Sequence, residues 1–93
     1  MPKELTLKNY MEDCVWELLD TVLEQDPEAC KCEICRYDIA ALALNELPPR
    51  YVVREKGALY TKASMLETQY RADIYSALTR ALMKVKQNPR HQV

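Results

Sequence analysis

The 93-residue sequence has one glycine, no phenylalanine, one tryptophan and one histidine. A single glycine excludes glycine-rich phosphate loops and dinucleotide folds and argues against hairpin-rich β structure, because each needs positive φ at several positions. One histidine, His91, leaves hydrolytic chemistry without a Ser–His or Cys–His pair of evident geometry, so the chain is read as a non-enzyme. No long hydrophobic run is present. The longest strictly aliphatic stretch is Ile39 to Leu44, far below the ~20 residues that span a bilayer. The first residues, Met1 to Thr6, lack a charged region followed by an apolar core. These absences predict a soluble, cytoplasmic protein with no membrane partner, in a compartment where thiols stay reduced.

What is present is a composition of 48% hydrophobic and 29% charged residues, which argues against disorder. The length fits one domain, with a core over about residues 7–88 and a tail at 89–93. Such a chain buries only about 60–65% of its unfolded surface, so a staple is expected. The net charge of -1 conceals an asymmetry. Residues 1–47 hold four basic side chains against eleven acids; residues 48–93 hold nine against three. Either the halves neutralise each other on packing, or the second half owns an anion site. No dense basic stripe of the kind that grips a duplex is present, which argues against a large nucleic-acid partner.

Apolar residues at Leu7, Met11, Cys14, Val15, Leu18, Leu19 and Val22 follow the helical period, predicting a first helix from Leu7 to Glu24 that Asp26-Pro27 ends. A second helix is predicted over Glu33–Glu46. Its Ile39–Leu44 stretch is apolar around most of the circumference, which marks it as the buried one. Pro48-Pro49 stops it. A third helix carries Leu66, Tyr70, Ile74, Ala77, Leu78, Ala81 and Val85 on one face, with Ser64-Met65-Leu66-Glu67 reading as a capping box and Asn88-Pro89 as its end. Between helices two and three, residues 47–60 are too long and too rich in large side chains for a mere connector. Tyr51-Val52-Val53 suits a short extended segment, and Gly57 marks a turn. The expected fold is a small all-α domain of three to four helices with a cysteine-rich knuckle and one long structured loop.

Cys30, Cys32 and Cys35 place three thiols within six residues at the start of the second helix. Thiolates bind Zn²⁺ at about 2.3 Å, and a tetrahedral structural site wants four donors. Backbone N–H groups at a helix start favour thiolate, which serves either a metal or a redox role for Cys32 and Cys35. The missing strand–helix–strand pattern weighs against redox chemistry. The fourth zinc ligand is either His91, if antiparallel helices bring the third helix's end back to Cys35, or Cys14, which also reads as an ordinary core residue.

The connection supplies Arg50, Tyr51, Arg54, Lys56, Tyr60 and Lys62, with Glu55 the one acid among them. Arginine grips phosphate or the guanine edge bidentately and tyrosine stacks on a base, so these residues suit a planar anionic ligand. The competing reading packs the tyrosines on the helices and leaves the charges solvated.

Three motifs in order carry a resemblance: Cys30-x-Cys32-x-x-Cys35 before a helix, then Asn45-Glu46-Leu47-Pro48-Pro49-Arg50-Tyr51-Val52, then Tyr60-Thr61-Lys62-Ala63 leading into a long helix. Over roughly residues 10–90 the chain resembles the late competence development protein ComFB family. The resemblance implies a small helical, zinc-binding, homodimeric bacterial protein that receives a cyclic dinucleotide, cyclic di-GMP or cyclic di-AMP, and signals to a downstream protein. The matching positions are Cys30, Cys32, Cys35, Pro49, Tyr51, Tyr60, Thr61 and Lys62. A dimeric zinc-stabilised interaction module without a small ligand, and a thiol redox protein, are the alternatives.

Overall fold

The computed structural model describes the backbone of residues 5–55 and 61–88, and the side chains of residues 5–53 and 70–88. The element order is β1 (Leu5–Asn9), α1 (Tyr10–Glu24), α2 (Glu33–Glu46), β2 (Tyr51–Glu55) and α3 (Thr61–Gln87). Three helices form the body, and β1 pairs antiparallel with β2 as a two-stranded sheet. The fold is therefore mostly helical, with a small sheet that the all-α expectation did not contain.

The predicted first helix splits in two. Residues 5–9 are extended, and α1 starts only after Asn9, whose backbone (φ -82°, ψ 102°) is non-helical and whose Oδ1 accepts from the Met11 N–H at 3.2 Å. That side chain satisfies one orphan donor of the first turn. Leu7, read as the first member of the helical stripe, instead sits in β1 and is 69% exposed. Its cross-strand partner Val53 lies far away in the sequence.

α1 buries Met11, Cys14, Val15, Leu18, Leu19, Val22 and Leu23, and α3 buries Ile74, Ala77, Leu78, Ala81, Leu82 and Val85. α2 contributes Cys35, Ile39, Ala40 and Ala43. The most buried helix is thus α1 rather than α2. The other large apolar residues of α2 are less covered: Ile34 and Tyr37 are exposed, and Leu42 and Leu44 are partly buried against the core. Tyr37 meets Trp16 of α1 edge-on, with ring centroids 5.1 Å apart, a favoured aromatic geometry. Full burial of a Leu or Ile in this core is worth about 1.5–3 kcal/mol.

α3 begins at Thr61, so Ser64 lies inside the helix and is not its cap. At ~1.5 Å rise per residue, α3 runs roughly 40 Å. Its C-terminal part lies beside the start of α2, where Leu82, Val85 and Lys86 share a pocket with Cys30 and Cys35. Among the described residues, ion pairs tie the acidic first half to the basic second half. Arg80 donates from Nε and one terminal nitrogen to Glu46 Oε1 at 2.9 and 2.7 Å, and Lys86 Nζ lies 2.7 Å from Asp26 Oδ2. Part of the charge asymmetry is therefore spent in packing. Among the described residues no helix is long and apolar enough to cross a membrane.

Candidate metal centre and basic segment

The turn after α1 delivers the first thiol. Asp26 Oδ1 accepts from the Glu28 N–H at 3.0 Å and its carbonyl from the Ala29 N–H at 3.0 Å, bending the chain toward Cys30. An aspartate that bonds the backbone two residues on is an Asx-turn. Cys32 is the N-cap of α2, with extended backbone (φ -70°, ψ 163°), and its Sγ accepts from the Cys35 N–H at 3.4 Å. Helical spacing from this cap swings Cys35 back under Cys32. The Sγ atoms of Cys30, Cys32 and Cys35 all lie within 4.8 Å of one another.

That spacing fits a metal ion. Four-coordinate zinc with bonds of about 2.3 Å sets its sulfurs about 3.8 Å apart, a contraction of no more than about 1 Å from the observed cluster. The donor chemistry also fits. The Cys35 N–H holds the Cys32 thiol below its ordinary value, against the opposing effect of burial. Cys35 is 1% exposed, and burial together with its neighbouring thiols pushes it up to about 12. Burial thus works against the Cys35 thiolate on its own; a divalent cation reverses that balance and deprotonates its ligands outright.

A pocket of about 270 Å³ opens beside the cluster, lined by Glu28, Cys30, Cys35, Ile39, Leu82, Val85 and Lys86. The end of α3 thus does return to the start of α2. His91 itself lies outside the described residues. Cys14 is 1% exposed among the core residues of α1 and takes no part in the three-thiol cluster.

The basic segment starts from a fixed point. The Arg50 N–H donates to Asn9 Oδ1 at 2.9 Å, and the Arg50 carbonyl accepts from the Tyr10 N–H at 2.6 Å. Its guanidinium lies over the Tyr70 ring, 4.7 Å from the centroid, donating to the Tyr70 hydroxyl at 2.6 Å and to the Pro49 carbonyl at 3.0 Å. Such a cation–π contact with a hydrogen bond is worth about 1–2 kcal/mol. Arg50 is thereby a bolt between the sheet, the start of α1 and α3.

A family model, the late competence development protein ComFB, matches residues 8–89. The chain belongs to the ComFB family. The Competence protein ComFB of Bacillus subtilis (strain 168) is 35% identical over 83 residues, covering 89% of this chain and 85% of that protein. The solved structure of the late competence protein ComFB from Bacillus subtilis superposes with a TM-score of 0.72 at 27% identity, covering 92% of this chain and 97% of that one. The ComFB fold thus accounts for the helical body of this chain.

Within this ComFB domain the expected ligand residues are placed unevenly. Tyr51 opens β2 and is 63% exposed. Arg54 stands in β2 opposite Thr6, and Thr61 and Lys62 form the first positions of α3. Lys56 and Tyr60 lie outside the described residues. Sequence reasoning missed the roles of Asn9, Tyr70 and the Asp26–Lys86 pair. Asn9 followed three residues later by Glu12 carries the capping-box pattern and would have fixed the start of α1. Nothing local marks Asp26 and Lys86 as partners.

Proposed function

We propose that this chain is a non-enzymatic receptor for a cyclic dinucleotide, cyclic di-GMP or cyclic di-AMP, that carries a structural zinc and relays the ligand signal to a downstream protein. Membership of the ComFB family supports this reading. The observation that carries it is the bolted base of the basic segment. Arg50 is held by Asn9, Tyr10 and Tyr70, next to Tyr51 and ahead of Arg54, Lys56, Tyr60, Thr61 and Lys62 in the sequence. A prearranged base reduces the ordering cost of binding. Two guanines or adenines offer stacking faces for the tyrosines, and two phosphates offer anions for the arginine and lysines.

In the metal centre, Cys30, Cys32 and Cys35 supply three thiolates, and His91 is proposed as the fourth donor over Cys14. Asn88, the last described residue, follows the pocket residues Val85 and Lys86 closely. Three further residues reach about 10 Å. Zinc held by these residues would supply cross-linking rather than chemistry, joining the turn after α1 and the cap of α2 to the segment that follows α3.

Isothermal calorimetry of the purified, zinc-loaded protein with cyclic di-GMP and cyclic di-AMP tests the receptor reading. Saturable binding of one of them below tens of micromolar, weakened at least tenfold by Arg54→Ala with Lys56→Ala, is expected. No heat from either ligand at those concentrations overturns it.

A further inference from the structure

The three thiols of the metal centre differ in what can reach them. Cys35 is 1% exposed, whereas Cys30 and Cys32 are half-buried. All four cysteines of the chain carry unbridged thiols, and the Sγ atoms of Cys30, Cys32 and Cys35 lie within 4.8 Å of one another. A pocket of about 270 Å³ opens onto Cys30 and Cys35, with room for several water-sized molecules. The cluster is thus close enough to cross-link and open enough to be attacked. A bound metal leaves that chemistry in place, because Zn²⁺ has no redox states of its own and an oxidant acts on the sulfurs.

We propose that Cys32 and Cys35 form a peroxide-driven disulfide that dismantles the metal centre, so that the cluster is a modification site as well as a staple. Exposure and geometry assign the pair. Cys32 is the half-buried N-cap of α2, and its Sγ already faces Cys35, accepting from that residue's N–H at 3.4 Å. A cap and the residue one turn on stand about 5 Å apart at their Cα atoms, inside the range a disulfide spans. Cys30 belongs to the turn before α2, and a bridge from it to Cys32 across a single residue closes too small a ring for relaxed geometry.

The oxidant is a hydroperoxide. Cys32 gives its thiol proton to solvent, and its sulfur attacks one oxygen of hydrogen peroxide. An S–O bond forms, the O–O bond breaks, and hydroxide leaves, taking a proton from solvent to become water. Cys35 Sγ then attacks the sulfenic acid at Cys32 Sγ. An S–S bond forms, the S–O bond breaks, and hydroxide leaves with the Cys35 proton as a second water. The two sulfurs lose two electrons and the peroxide gains them.

Oxidation exchanges one kind of cross-link for another. Two of the three thiolate donors are gone, and Cys30 alone cannot hold a four-coordinate metal. The new bridge lies within one turn of α2 and encloses only Glu33 and Ile34, so it constrains the unfolded chain little. The turn carrying Cys30 loses its tie to α2. Loss of the metal rests on the zinc reading above; formation of the bridge does not.

Titration of the zinc-loaded full chain with hydrogen peroxide is the test. A colorimetric zinc chelator reads the metal, and alkylation followed by peptide mass spectrometry reads the thiols. Each peroxide consumed should release one zinc, with Cys32 and Cys35 bridged, Cys14 and Cys30 alkylated, and dithiothreitol restoring the site. Cys14→Ala should respond as the wild type does. In Cys35→Ser the reaction should stop at the Cys32 sulfenic acid, captured by dimedone. Zinc retained at about tenfold excess of peroxide overturns the proposal, as does a bridge to Cys30 or oxidation to sulfinic acid without a bridge. Should Cys35→Ser misfold, the wild-type mapping decides alone. A chain that takes up no zinc refutes the metal reading instead, and in it the same mapping decides whether Cys32 and Cys35 pair.

Discussion

One oxygen holds two junctions of this fold, and removing it should cost more than a helix cap. Asn9 Oδ1 accepts from the Met11 N–H at 3.2 Å and from the Arg50 N–H at 2.9 Å. Loss of an asparagine cap costs about 1 kcal/mol. Loss of the second bond, which leaves a partly buried backbone donor unpaired, costs about another 1 kcal/mol. Asn9→Ala should therefore destabilise by about 2 kcal/mol, a fall in Tm of about 10 °C for a domain of this size. Asn9→Asp keeps the shared acceptor and adds favourable charge at a helix start, so it should stay within about 0.5 kcal/mol of the wild type. Asn9→Ser keeps the cap but is too short for Arg50, and should fall midway. Urea unfolding followed by the fluorescence of Trp16, with metal loading and protein concentration held fixed, measures all three. If Asn9→Ala unfolds within about 0.5 kcal/mol of the wild type, or Asn9→Asp falls as far as Asn9→Ala, the shared-acceptor reasoning is wrong.

Three further outcomes are expected. Cys35→Ala should abolish zinc retention by elemental analysis, whereas Cys14→Ala should keep full stoichiometry and lose only stability, since Cys14 lies in the core apart from the thiols. His91→Ala should lower zinc affinity at least tenfold in a chelator competition; unchanged affinity would move the fourth donor elsewhere. The Asp26–Lys86 pair should show a defined pH window. Its hydrogen bond to Lys86 holds the Asp26 carboxyl below the ordinary 3.8, and Asp26 in turn holds Lys86 above 10.5. A depressed acid contributes stability above its unfolded value and loses it as pH falls through the folded value; a raised base contributes below its unfolded value and loses it as pH rises through the folded one. The stability difference between wild type and Lys86→Met should therefore be flat from about pH 4 to 10 and shrink beyond both ends. A gap that persists unchanged at pH 2 would show that the lysine acts only through packing.

The parts of the fold legible in the sequence were those whose signals are local. The end of α2 follows from Pro48-Pro49, and the buried face of α3 from its period. The start of α1 was obscured because Leu7 serves two patterns at once: it is four residues before Met11, as in a helix, and two after Leu5, as in a strand. Its strand partner Val53 belongs to a different part of the chain, and no local window contains both. Ser64 misled for a related reason, since a capping-box pattern costs nothing inside a helix that starts three residues earlier. The three-thiol cluster was legible because spacing within six residues dictates proximity. A fourth donor depends on where α3 ends relative to α2, which is tertiary information.

The strand pairing also sets an order of events. Joining Asn9 to Tyr51 closes a loop of 41 residues, and such closure costs a few kcal/mol of chain entropy if the intervening helices are unformed. Five residue pairs at the edge of a small domain cannot recover that alone. The sheet should therefore assemble only after α1 and α2 have docked and brought its strands together, and should open first under native conditions. Leu7 and Val53, exposed and paired across the strands, meet only at that late step.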